Sequence, residues 1–155
     1  MTTLTAGDPA PDFTLPAPGG DTLSLADFAG RKLVIYFYPK AGTEACTREA
    51  HDFNKLRGDF DAAGTALLGV SPDPAKALGR FTAKHEIGFP LAADEAHQLI
   101  EAHGIWVEKS MYGHRFMGVE RTTVLIDATG HIARIWPKVK VTGHAEEVLA
   151  AARAL

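Results

Sequence analysis

Leu33-Val34-Ile35-Tyr36-Phe37-Tyr38 is the longest apolar run in the chain, and Pro39 closes it. Its residues are almost all β-branched or aromatic, which suits a pleated strand. Because the run does not alternate with polar residues, it predicts a strand covered on both faces, as in the middle of a sheet flanked by helices. It is far shorter than the roughly 20 residues a membrane-crossing helix needs. Such a strand requires a core large enough to hide it. The chain has 155 residues, 46% hydrophobic and 23% charged, which suffices for one domain whose core needs neither disulfide nor structural metal.

The surrounding pattern extends that expectation. Residues 1–30 form an N-terminal arm in which Phe13 and Leu15 alternate with polar neighbours, Pro16 to Asp21 make a turn, and Leu23, Leu25 and Phe28 follow. After Pro39 and a short loop, Cys46, Ala50, Phe53, Leu56 and Phe60 recur at helical spacing and fall on one face. Ala66 to Ser71 is a second buried strand, ending in Ser71-Pro72-Asp73-Pro74, with Pro74 placed to start a helix that runs to about His85. Phe89 to Ala92 predicts a short strand, and Ala96 to His103 a short helix with Gly104 just past its end. Residues 109–120, with Gly113 and Gly118, predict an irregular loop. Thr122 to Asp127 and His131 to Trp136 flank Asp127-Ala128-Thr129-Gly130 as a β-hairpin, and Gly143 to Leu155 is an Ala-rich helix with Val148 and Leu149 inward. This order predicts an α/β chain of the thioredoxin-like fold: a mixed central β-sheet flanked by helices, an N-terminal β extension, and one domain over residues 1–155.

Several function classes are disfavoured. A net charge of −3 gives no electrostatic case for nucleic acid or an anionic membrane as partner. Met1 to Pro9 holds neither a basic nor an apolar stretch, so the expectation is a cytoplasmic protein whose thiol stays reduced. The single cysteine excludes an intramolecular disulfide and a cysteine-rich zinc site. The histidines form no HExxH or His-x-His pair, so no metal is expected. With neither GxGxxG nor a P-loop, no cofactor is expected either. Trp106 and Trp136 suit packing, while Phe37, Phe53, Phe89 and Phe116 belong either to the core or to an apolar entrance.

Cys46 stands out by position. It follows a buried strand, a proline and a short polar loop, and it opens a helix. A thiol in a helical first turn sees unpaired N–H groups and the positive end of the helix dipole, both of which favour thiolate. With Thr43 as N-cap, Cys46 falls on the third helical residue. The same cysteine also suits plain packing beside Ala50 and Phe53. The residues alone leave both readings open.

Tyr36 to Glu49 resembles the active-site segment of the peroxiredoxins, in which proline, threonine and cysteine are spaced as Pro39, Thr43 and Cys46 are here. Glu120 to Asp127 resembles the segment that carries the family's arginine, here Arg121, and Gly7 to Phe13 and Gly69 to Asp73 match further family segments. Glu108-Lys109-Ser110-Met111-Tyr112-Gly113 is similar to the bacterioferritin-comigratory, PrxQ-type subfamily. The resemblance implies a thiol-dependent peroxidase acting on hydrogen peroxide and organic hydroperoxides. Cys46 would be the nucleophile, with Arg121 favouring its thiolate and polarising the peroxide. Thr43 and the amides near Ala45 would align the two oxygens, Pro39 would wall the sulfur from solvent, and Glu49 would orient Arg121.

The chain departs from the resemblance in two places. Many members of the subfamily have a second cysteine five residues after the first, and here that position is His51. The implied enzyme is therefore a one-cysteine form. Its sulfenic acid would be reduced by an external thiol (thioredoxin, or glutathione with or without glutaredoxin) or by Cys46 of a second chain. His51 lies about 140° round the helix from Cys46, which predicts a surface residue. Glu44 replaces a usual proline and is expected to face solvent. A monomer is implied, with a dimer through the loop face as the other arrangement. A non-catalytic redox sensor or partner-binding protein is the alternative function.

Overall fold

The computed structural model describes residues 4–155. The N-terminal arm is a small antiparallel hairpin, β1 (Thr14–Pro16) against β2 (Thr22–Ser24), with Phe13 and Leu15 buried. A short 3-10 turn, in which the Ser24 N–H donates to the Asp27 carboxylate at 2.9 Å, leads into β3 (Lys32–Phe37). Then come α1 (Glu44–Lys55) and α2 (Arg57–Ala62), divided at Leu56. Cys46, Ala50, Phe53 and Phe60 are buried along both helices and Leu56 packs against them, so one apolar stripe spans the break.

β4 (Thr65–Ser71) and α3 (Ala75–His85) follow. The next strand, β5 (Leu91–Ala93), begins later than the sequence suggests, because Pro90 has no N–H to give a ladder; its carbonyl instead accepts from Gly69 N–H at 3.1 Å. Helix α4 (Gln98–Ala102) is likewise shorter than expected. The Asp94 carboxylate caps it, accepting from Gln98 N–H at 3.0 Å and Ile100 N–H at 2.9 Å, and so fixes where it starts.

The irregular loop expected over 109–120 is instead an antiparallel hairpin, β6 (Trp106–Met111) and β7 (His114–Val119). Its two-residue connection, Tyr112 and Gly113, takes positive φ at both positions (51° and 78°). That is the mirror-image turn that matches strand twist. Tyrosine in a place usually held by asparagine or aspartate, and the polar Glu108-Lys109-Ser110 run, hide this hairpin in the sequence. β8 (Thr122–Ile126), β9 (Ile132–Trp136) and α5 (His144–Ala154) close the chain, with Val148 and Leu149 buried as expected.

The five-stranded sheet has the order β5-β4-β3-β8-β9. β3 runs parallel to β4 and antiparallel to β8, so the sheet is mixed, with β3 at its centre. Val34 and Tyr36 on one face of β3 join Cys46, Phe53, Leu78, Phe81 and Val148. Leu33, Ile35 and Phe37 on the other face join Phe13, Leu15, Leu99, Ile100 and Val119. Both faces are covered, which accounts for the unbroken apolar run. The four phenylalanines do not line one entrance: Phe37 lies in the second cluster, Phe53 and Phe89 in the first, and Phe116 is 44% exposed on β7.

Tyr36 is the centre of the first cluster, stacked on Phe53 at 4.8 Å and on Tyr38 at 5.3 Å between ring centroids. Gly69, its neighbour across the ladder, makes room for it: a Cβ there would stand 2.6 Å from Leu91 Cδ2 and 2.9 Å from Tyr36 Cζ. Both neighbours are buried and cannot swing away. Gly69→Ala is therefore expected to lower stability by about 1–3 kcal/mol through overpacking. The check is urea unfolding, where the midpoint should fall with the slope unchanged.

Candidate active site

The ladder of β3 continues for one residue beyond the strand, Tyr38 N–H donating to the Val70 carbonyl at 3.1 Å, and Pro39 then ends it. Pro39 is half-buried and has no N–H to give. The loop that follows is tied to the end of β4. Asp73 Oδ2 accepts from Ala41 N–H at 2.8 Å and from the Ser71 hydroxyl at 2.8 Å. Gly42, at φ 88°, makes the turn into α1. Ser71 and Asp73 thus hold the loop in place, a role that the sequence did not disclose. A serine and an aspartate just beyond a strand parallel to β3 were the available signal.

Thr43 is the N-cap of α1 in backbone geometry (φ −76°, ψ 157°), which puts Cys46 at the third helical position. The Thr43 side chain makes no cap hydrogen bond. Its hydroxyl donates to the Lys40 carbonyl at 2.9 Å, and no side chain covers the first-turn amides. Glu44 is exposed in that first turn, where a negative charge suits the helix dipole. Cys46 is 1% exposed.

Arg121, immediately before β8, reaches this helix from 75 residues away. Its Nη2 donates to Cys46 Sγ at 3.2 Å, and its Nη1 to Glu49 Oε1 at 2.6 Å. One guanidinium fork therefore bridges the sulfur and the carboxylate. The Arg121 carbonyl accepts from Val139 N–H at 2.9 Å, which fixes its backbone. Burial works against the Arg121 charge, but Glu49 and Cys46 outweigh it and hold the proton more tightly than usual. Glu49 is 1% exposed, its Oε2 has no partner among the described residues, and burial pushes its carboxyl up to about 7 even against the pull of Arg121.

The structure thus brings Cys46, Arg121 and Glu49 into direct contact, with Pro39 and Thr43 on the loop that leads to them. Lys109 is a further cation within electrostatic reach of Cys46 and Arg121, its stem lying across Gly118; burial, then Arg121, lower its proton affinity. His51 is exposed and away from this cluster. A cavity of about 990 Å³ between Ile105, Trp106, Thr122 and Ala133 does not include Cys46. No helix among the described residues is long and apolar enough to cross a membrane.

Residues 6–135 match the model of the AhpC/TSA family. The chain belongs to that family and is a peroxiredoxin. It is 42% identical over 147 residues to the peroxiredoxin Bcp of Bacillus subtilis, covering 95% of this chain and 94% of that protein. It is 47% identical over 148 residues to the peroxiredoxin Bcp of Xanthomonas campestris, covering 94% of this chain and 92% of that protein. A solved structure of the X. campestris bacterioferritin comigratory protein, described for its alkyl peroxide reduction activity, superposes with a TM-score of 0.90 at 44% identity, covering 97% and 98% of the two chains. This peroxiredoxin is therefore an enzyme of the Bcp/PrxQ type, an oxidoreductase with thiol peroxidase activity on a thioredoxin-like fold. It has a single cysteine.

The Glu49 proton gives this peroxiredoxin a measurable pH signature. The folded carboxyl titrates near 7, above its ordinary value of 4.5, so the folded state holds the proton longer than the unfolded one. Stability contributed by that proton is complete below the ordinary value and is lost as pH rises through about 7. Urea midpoints of the wild type and Glu49→Gln, measured side by side, should diverge across that window, the wild type losing ground as pH rises. Parallel midpoints would contradict the raised carboxyl.

Proposed function

We propose that Cys46 is the peroxidatic nucleophile of a one-cysteine peroxidase, and that the Arg121 contact on its sulfur is the observation that carries the reading. A guanidinium nitrogen donates to Sγ at 3.2 Å, and the group stands ready to stabilise charge that grows on the peroxide oxygens. The uncapped amides of the α1 first turn act in the same direction. Thr43 has its own proton committed to Lys40, so its oxygen is left to accept the proton of the incoming hydroperoxide. Pro39 adds apolar bulk and no donor to the loop that leads to Cys46. Glu49 is a positioning residue, holding the guanidinium fork in line.

The thiolate attacks one oxygen of ROOH and the O–O bond breaks. RO⁻ leaves and takes a proton to give ROH, while Cys46 becomes a sulfenic acid. A thiol then displaces water from that sulfenic acid to form a mixed disulfide, and a second thiol releases the reduced cysteine. With one cysteine in the chain, both thiols come from outside it. Thioredoxin, or glutathione with or without glutaredoxin, are the reductant classes we favour. The substrate is hydrogen peroxide or an organic hydroperoxide, the latter supported by the alkyl peroxide reduction ascribed to the X. campestris relative. We take residues 1–155 to be one domain, working as a monomer in the cytoplasm and needing no metal or other cofactor.

Stopped-flow tryptophan fluorescence tests the reading, with Cys46→Ser as the blank. Wild type is expected to react with hydrogen peroxide orders of magnitude faster than free cysteine. Arg121→Gln should slow it by about 10²–10³-fold, and Arg121→Lys by less, since lysine keeps the charge but not the fork. A wild-type rate equal to that of free cysteine would leave the alternative of a non-catalytic redox sensor or partner-binding protein. A second check concerns the oxidised product. Cys46 is 1% exposed, so two chains cannot join through their sulfurs without both opening. After one equivalent of peroxide, without reductant, the chain should run as a monomer in non-reducing electrophoresis and take up one dimedone.

A further inference from the structure

His51 and His85 lie on different helices, α1 and α3, 34 residues apart in sequence, yet His51 Nε2 stands 3.1 Å from His85 Nδ1. The ring centroids are 5.0 Å apart and the planes nearly perpendicular, at 82°. Metal–imidazole bonds run about 2.0–2.1 Å, so two nitrogens bound side by side on one ion stand roughly 2.9–3.4 Å apart across bond angles from square to tetrahedral. The pair already has that spacing. His51 is exposed and His85 half-buried, which leaves the outer positions of such an ion open to water.

The junction is also held in place before any ion arrives. Asn54, one turn beyond His51, donates from Nδ2 to the Glu86 carbonyl at 3.1 Å and accepts at Oδ1 from Gly88 N–H at 2.8 Å. These two bonds tie α1 to the residues that end α3. The ring of Phe81 packs against His85 at 4.6 Å between centroids and limits its rotation. Neighbouring charges divide: Lys84 beside His85 and Arg48 and Lys55 on α1 oppose a cation, whereas Asp52 beside His51 favours one.

We propose that His51 and His85 form a two-histidine site for a borderline divalent transition ion of the zinc, nickel or copper class, one that cross-links the helix bearing Cys46 to α3. Imidazole nitrogen suits these ions and not calcium or magnesium. Without the ion, one ring donates to the other. For the ion to bind, that bridging proton moves to the far nitrogen of its own ring, which frees both facing nitrogens as ligands.

The test uses Zn²⁺ alone and the full chain with Cys46→Ser, because a thiolate would itself take zinc. Zinc is titrated at neutral pH against a chromophoric chelator. The expected result is one zinc per chain, with His51→Gln and His85→Gln each weakening it by about 10–100-fold or more, the loss seen even for partners of metal ligands. His114→Gln, an exposed histidine on β7, should leave it unchanged. Zinc should also raise the unfolding temperature of the parent and of neither ligand variant. Absence of uptake, uptake equal in all chains, or weakening by only one of the two substitutions would overturn the shared site.

Discussion

Phe37 faces Thr122 across the antiparallel ladder of β3 and β8, and that single register sets the distance between the two halves of the active site. The residue before Thr122 is Arg121, and the loop after Phe37 leads to Cys46. A one-residue slip would turn every side chain of β8 to the opposite face and carry the guanidinium away from the sulfur. Burial prevents such a slip, since Leu125 lies in one apolar cluster and Val124 and Ile126 in the other. Packing on both sides of the sheet thereby sets a contact of 3.2 Å.

That contact places three ionisable groups where water is scarce. A buried carboxylate is costly unless paired, and Glu49 is paired through one oxygen only. What the fold gains is a guanidinium that cannot wander: fixed at its backbone by Val139, at one nitrogen by Glu49, and aimed at the sulfur by the other. The same enclosure leaves Cys46 almost wholly out of contact with solvent. Under the function proposed above, a protein thiol reaches the sulfur only if the first turn of α1 loosens, and the Thr43 side chain makes no cap hydrogen bond there.

Much of the fold was legible because periodicity carried it. The β3 run, the stripe from Cys46 to Phe60, the β8–β9 hairpin and the final helix follow from spacing alone. The β6–β7 hairpin escaped because its polar strands pack little and its turn uses tyrosine at positive φ. The limits of α4 and β5 are set by the Asp94 carboxylate and by Pro90, single residues that a periodic pattern does not register. At the site, the helical position of Cys46 could be counted from Thr43. The anchoring of Ala41 by Asp73 and the meeting of His51 with His85 depend on which strands and helices lie side by side. Those adjacencies arise between residues 30 or more apart, beyond the reach of local pattern.

The 75-residue separation of Cys46 from Arg121 also bears on how the chain is made. While a chain is being synthesised, Cys46 emerges well before Arg121. Until β8 docks, the thiol has no guanidinium beside it. Under the function proposed above, the peroxidase is therefore complete only when the sheet is.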